Sequence, residues 1–151
     1  MGKKIKFLKE RAFEFWEEGV KLFNEKKYNL SVFNIEQAVQ LWIKYLIALK
    51  IGDWPKTHYF SELIESVSDI YKSKEIIEFY KKNEIFFNNL EDAYYTSRYF
   101  PKVFSENTAA QLIENSKKFI TITEKITGEK FTNEWICKDF KKESREKREI
   151  F

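Results

Sequence analysis

From Ile5 to Ile126 the apolar residues recur at intervals of three and four, and no stretch of useful length alternates with a period of two. That spacing belongs to helices packed along one stripe, so the pattern predicts an all-α fold. Ile5, Leu8, Ala12, Phe15, Val20 and Phe23 outline a first helix over about residues 4–26. A second follows over about 30–50, with Asn29 in position to cap it and Gly52 to end it. Its apolar face, Val32, Ile35, Ala38, Leu41, Trp42, Tyr45, Leu46 and Leu49, is broad enough for a central helix covered on several sides.

Gly52-Asp53-Trp54-Pro55 is the first loop, because proline disfavours helix just before it. Thr57 is placed to cap a third helix over 59–70, and Ser73 a fourth helical region over 74–99 with an interruption near Asn83 or Asn88–Asn89. Pro101 stops that region. Ser105 or Asn107 restarts helix, and a fifth runs to 127 before Gly128. The expectation is an up-and-down bundle of four to five helices over residues 1–128. A charged C-terminal tail or extra helix follows over 129–151, with Trp135, Phe140 and Ile150–Phe151 as apolar handles.

Composition agrees. Four glycines and two prolines in 151 residues leave few turns, and a single domain of this size can hold a core without covalent staples. Cys137 is the one cysteine and reads as an inert small hydrophobe. An internal disulfide and a cysteine-based zinc site are therefore excluded, and with His58 the one histidine, so is a histidine-rich metal site. No metal and no cofactor are expected. The basic opening lacks a long apolar run, and the stretch around LWIKYLIALKIG is too short and too charged to span a bilayer. A cytoplasmic protein without a membrane segment is the expectation.

The net charge is only +3, but residues 3–11 carry +4 and residues 138–149 carry +2. The middle is acidic by difference. A basic fringe of this kind either contacts phosphates or is a solvated surface of mixed sign.

One stretch, EDAYYTSRYFP (91–101), sets a permanent cation among four aromatic rings just before a proline. On a helix Glu91, Tyr94, Tyr95 and Arg98 share a face. Arg98 is then either a helix-end arginine that satisfies carbonyls and pairs with Glu91, or a phosphate clamp framed by stacking tyrosines. His58 is either a loop histidine bonded to a neighbouring helix or a proton-transfer group, and no spacing in the sequence brings it to Arg98. Gln37 and Lys44, seven apart on the second helix, are either helix-edge residues or a nucleotide-contacting pair. Trp42, Trp54 and Phe33 read as core or as the seam of a dimer.

Three segments in this order resemble the HEPN family (higher eukaryotes and prokaryotes nucleotide-binding domain), in its small archaeal and bacterial stand-alone form. They are YNLSVFNIEQAVQLWIKYLIALKIGDWPKTH, THYFSELI, and DAYYTSRYFP followed by ENTAAQLIENSKKFI. The resemblance covers about residues 8–127. It implies a helical bundle, often a homodimer, that accompanies a minimal nucleotidyltransferase in toxin–antitoxin-like pairs. Several branches are metal-independent endoribonucleases, whose signature is an arginine, usually followed by a polar residue, with a histidine four to six positions on. Here Arg98 matches the arginine, but Tyr99 follows it and no histidine lies within range.

The resemblance therefore implies a nucleotide- or RNA-associated partner of a nucleotidyltransferase, without strong catalysis of its own. Arg98, Tyr95, Tyr94, Lys44 and Gln37 are its candidate nucleotide- or RNA-binding residues. An endoribonuclease toxin with a rewired site, using Arg98 and His58, is the first alternative. A helical protein-interaction module with no ligand is the second.

Overall fold

The computed structural model describes residues 2–101 and 103–132. Six helices follow one another: α1 (Gly2–Asn24), α2 (Tyr28–Ile51), α3 (Phe60–Tyr71), α4 (Lys74–Lys82), α5 (Glu84–Tyr99) and α6 (Glu106–Thr127). No strand occurs among the described residues, so the fold is the all-α bundle that the three-to-four periodicity predicts. No helix among these residues is long and apolar enough to cross a membrane.

The bundle is organised around α2, which packs most extensively on α1 and also meets α3, α5 and α6. Val32, Ile35, Ala38, Val39, Trp42, Ile43 and Leu46 are fully buried, which is the central helix that its broad apolar face predicts. α1 approaches so closely that Gly19 has no room for a side chain: a Cβ there would stand 2.7 Å from Cδ1 of Ile35. At the same crossing the Ser31 hydroxyl donates to the Gly19 carbonyl at 2.6 Å. Trp42 anchors the opposite side by donating its indole N–H to Thr123 Oγ1 on α6 at 2.8 Å.

The helix boundaries follow local chemistry. Ser73 and Ser105 cap α4 and α6, accepting from the amides of Ile76 and Thr108. Gly52 and Gly128 close α2 and α6 in the left-handed conformation. The long fourth region is two helices, divided at Asn83, whose side-chain amide donates to the Phe79 carbonyl at 2.8 Å. That bond satisfies a terminal carbonyl of α4, so the chain can turn there without glycine or proline. Asn29 does not cap α2, which already begins at Tyr28.

The core does not stop with α6. Residues 129–132 fold back without regular structure, and Phe131 is buried edge-on against Phe13, Trp16 and Trp42. Its amide donates to the buried Glu124 carboxylate at 2.8 Å. The tail handles Trp135, Phe140 and Ile150–Phe151, Cys137 and the extra helix lie outside the described residues.

Candidate functional site

The end of α5, the start of α2 and the loop before α3 meet on one side of the bundle. Asp53 begins the loop by accepting the Trp54 amide at 2.8 Å, and Thr57 accepts the Tyr59 amide at 3.1 Å. The cap of α3 comes from another helix: Glu91 on α5 accepts the Phe60 amide at 2.8 Å. An anion at a helix N-terminus is well placed electrostatically. This bond also fixes the loop against α5, one turn before Tyr94.

His58 consequently lands on Tyr94. The two rings are stacked, with centroids 4.7 Å apart and planes 9° from parallel. His58 Nε2 lies 3.3 Å from the Tyr95 hydroxyl, and Tyr59 leans on the imidazole from the loop side. The sequence offers no reason for this meeting, because 36 positions separate His58 from Tyr94 and the loop is brought to α5 by tertiary contacts, among them the Glu91 bond to the Phe60 amide and the packing of Phe60 on Phe87.

Arg98 uses the same tyrosine. Its guanidinium carbon stands 4.4 Å from the Tyr94 ring centre, 4.9 Å from Tyr99 and 5.3 Å from Phe33. Nε donates to the Tyr94 carbonyl at 2.9 Å, as expected of a helix-end arginine. The pairing with Glu91 is not made: Glu91 is engaged with α3, and no carboxylate among the described residues reaches Arg98. Asn29 holds both sides of the turn that follows. Its carbonyl accepts from the Ser97 hydroxyl at 2.9 Å and its side chain from the Phe104 amide at 2.8 Å. Phe100 is extended, as the residue before Pro101 must be.

Gln37 and Lys44 belong to a different network along α2. Gln37 donates to Glu36 Oε1 at 2.6 Å, Gln40 donates to Glu36 Oε2 at 2.9 Å, and Lys44 donates to Gln40 Oε1 at 2.9 Å. Glu36 is fully buried. Burial raises its carboxyl to about 7, against the lowering effect of the two amides and the Lys44 charge, with Glu91 adding to the rise. Burial likewise lowers the Lys44 ammonium, partly offset by Glu36 and reinforced by Lys56.

The structure thus brings Arg98, Tyr94, Tyr95 and His58 together and leaves Gln37 and Lys44 committed to an internal ladder. The sequence did not single out Glu36, and Phe33, read there as core or dimer seam, is half-buried beside the Arg98 guanidinium. The signal for Glu36 was present, since it falls inside the apolar stripe between Val32, Ile35 and Val39. An ionisable residue there must find partners or change its protonation.

No group of three or more potential metal ligands occurs among the described residues. What the surface does present is a cation on an aromatic bed, with Tyr95, Tyr99 and Phe100 exposed beside it. Such a surface suits a phosphate flanked by a planar base. No curated protein and no solved structure matches the chain significantly. The family model described as HEPN domain matches residues 5–126, from the first turn of the described core in α1 almost to the end of α6. By that match across the whole bundle, the chain belongs to the HEPN domain family.

Proposed function

We propose that this protein binds a nucleotide or single-stranded RNA through Arg98 and its tyrosines, and that it acts as the partner of a minimal nucleotidyltransferase, without strong catalysis of its own. The observation that carries the binding reading is the state of Arg98. Its Nε is used on the Tyr94 carbonyl, but the side chain is exposed and meets no carboxylate among the described residues. The terminal amino groups of the guanidinium, which form the fork that grips phosphate oxygens, are left to a ligand. Tyr94 orients that fork from below, and the exposed Tyr95 beside it is the ring on which a base would stack.

The partner reading rests on family membership and on the apolar rim of the same turn. Tyr99, Phe100 and Val103 are 67%, 61% and 76% exposed. Three exposed apolar side chains within five positions of one turn suit a protein seam, with a second copy of this chain or with the nucleotidyltransferase. The toxin–antitoxin-like role follows from that pairing.

The test is a titration of ATP and a short single-stranded RNA into wild type, Arg98→Ala and Arg98→Lys, followed by fluorescence anisotropy or calorimetry. Removing Arg98 is expected to weaken binding by about 10- to 100-fold, the value of a charged hydrogen bond. Lysine rescues poorly because a point charge does not reproduce the planar fork. Unchanged affinity in Arg98→Ala would retire the clamp and leave a helical interaction module.

A second reading is favoured by the position of His58. An imidazole on the ring that also carries Arg98 pairs a proton-transfer group with a phosphate-stabilising cation, as an endoribonuclease requires. Metal-free cleavage of RNA by wild type, lost in both Arg98→Ala and His58→Ala, would establish it in place of the non-catalytic reading.

A further inference from the structure

We infer that the loop between α2 and α3 carries a track for single-stranded RNA, which begins at Arg98 and ends at Arg11 on α1. The track rests on the reading of Arg98 as a phosphate clamp and extends it from one nucleotide to a strand.

The Arg98 arrangement, a cation laid on an aromatic ring, recurs twice along this loop. Trp54 is half-buried and carries the Lys56 ammonium 3.7 Å from its ring centre. Phe7 on α1 packs edge-on against Trp54, with centroids 5.9 Å apart, and carries the Arg11 guanidinium at 4.8 Å. At the other end of the loop His58 lies on Tyr94, which carries Arg98. The contacts are therefore continuous from Arg11 through Phe7 and Trp54 along the loop to Arg98. A ring beneath a cation attracts it and limits its freedom, so each charge is oriented before a ligand arrives.

The cations are available. Arg11 and Arg98 are the arginines of the described residues, both are exposed, and no carboxylate among those residues reaches either. Lys56 is paired with Asp53 at 3.3 Å, but the two side chains are 68% and 74% exposed. So exposed a pair contributes little, and a phosphate can replace the carboxylate. Lys44, only 8% exposed on α2, lies near enough to Lys56 for the two charges to oppose each other. An anion over the loop relieves that repulsion.

The spacing selects a strand over a free nucleotide. Four residues of chain lead from Trp54 to His58, and they reach at most about 14 Å. A stacked strand advances about 3.4 Å per nucleotide, so the loop underlies no more than about four nucleotides. A mononucleotide meets one cation-on-ring unit, whereas a strand slightly longer than this meets all three. Cations that follow the backbone beside aromatic rings are the usual means of holding single strands.

The test is fluorescence anisotropy with single-stranded RNA of two and of eight nucleotides over a range of salt, with ATP titrated separately by calorimetry. The proteins are wild type, Arg98→Ala, Arg11→Gln, Lys56→Gln and a control, Lys82→Gln, at the opposite end of α5 from Arg98. The glutamines keep an aliphatic stem over each ring, so folding is not at stake. Wild type should bind the longer RNA at least about tenfold more tightly than the shorter. Arg11→Gln should weaken binding of the longer RNA by about tenfold, and Lys56→Gln by less because Asp53 already holds part of its charge. Each should lower the slope of log affinity against log salt by about 0.7, the value of one phosphate contact on a single strand, and leave ATP binding unchanged. Arg98→Ala should weaken both ligands. RNA affinity and salt slope in Arg11→Gln and Lys56→Gln equal to those of Lys82→Gln would overturn the track and leave the Arg98 clamp standing. RNA binding lost in these two variants but kept in Arg98→Ala would retire the clamp, and with it a track that begins there. Absence of RNA binding by wild type would overturn both.

Discussion

His58 lies flat on Tyr94, 4.7 Å away and 9° from parallel, while Tyr94 also carries the Arg98 guanidinium. One tyrosine therefore couples a loop residue to a helix-end cation, and its backbone carbonyl holds Arg98 Nε as well. The relationship separates two roles for His58. If it packs, a ring of similar shape serves equally. If it moves a proton, only an imidazole serves. His58→Phe keeps the stack and removes the nitrogen facing Tyr95. On the non-catalytic reading this variant should bind RNA within about twofold of wild type, well under the tenfold of 1.4 kcal/mol, and neither protein should cut it. A wild type that cuts RNA beside an inactive His58→Phe would promote the endoribonuclease reading.

Association should depend on the rim next to Arg98. Phe100 and Tyr99 are more exposed than rings of their size usually are in a monomer. The proposed homodimer predicts a scattering mass near twice the 18.3 kDa of one chain. Phe100→Asp should shift it toward one chain with little loss of melting temperature, because the ring contributes nothing to the core. A wild type that remains at the mass of one chain at high concentration would remove the dimer.

Gly19 should resist the most conservative change. Alanine gains about 1 kcal/mol of helix propensity over glycine. Here the new methyl would meet Cδ1 and Cγ1 of Ile35 at 2.7 and 2.9 Å and the Ser31 backbone carbonyl at 3.2 Å, and Ile35 is fully buried. Overpacking of this kind costs about 1–3 kcal/mol. Gly19→Ala should therefore be net destabilising in chemical denaturation, against the propensity scale.

Phe131→Ala tests whether the segment after α6 belongs to the folding unit. The ring meets Phe13, Trp16 and Trp42 edge-on and is almost fully buried. Truncating a buried phenylalanine costs about 3–5 kcal/mol through lost burial and the cavity left behind. A loss of that order would place Phe131 within the domain, and a loss below about 1 kcal/mol would make it a surface attachment.

The helices were legible because their signals are local. The α2 stripe, the Ser73 and Ser105 caps and the stop at Pro101 each lie within a few residues of what they control. The site was half legible for the same reason. Arg98, Tyr94 and Tyr95 share one helical face, so a cation among tyrosines can be read directly. His58 reaches them through tertiary contacts such as the Glu91 cap on α3, 31 positions apart in the chain, that no spacing encodes. Asn29 shows the same limit. Its cap-like chemistry is real, but its partner is the Phe104 amide, 75 positions away.

Glu36 supplies the last prediction. Its carboxyl is fully buried in α2 and raised from 4.5 to about 7, chiefly by burial. Below pH 4.5 both the folded and the unfolded chain hold the proton, and the group does not affect stability. Between about 4.5 and 7 the unfolded chain releases it while the folded chain keeps it, so stability falls as pH rises through this window. Above about 7 both forms are ionised and the loss is complete, of the order of 3 kcal/mol. Glu36→Gln should abolish this dependence. The network can accept the new amide, because Gln37 is only half-buried and is free to turn its carbonyl toward position 36, whereas Gln40 must keep its own carbonyl for Lys44. Glu36→Ala should not be equivalent, since it leaves the Gln40 amide without an acceptor in the core. Urea titrations of the three proteins at pH 5 and pH 8 check this. Wild type should lose stability between the two values by about 2–3 kcal/mol more than Glu36→Gln. Equal pH dependence in both would mean that the carboxyl is ionised throughout, with the Gln40 and Lys44 ladder holding its charge.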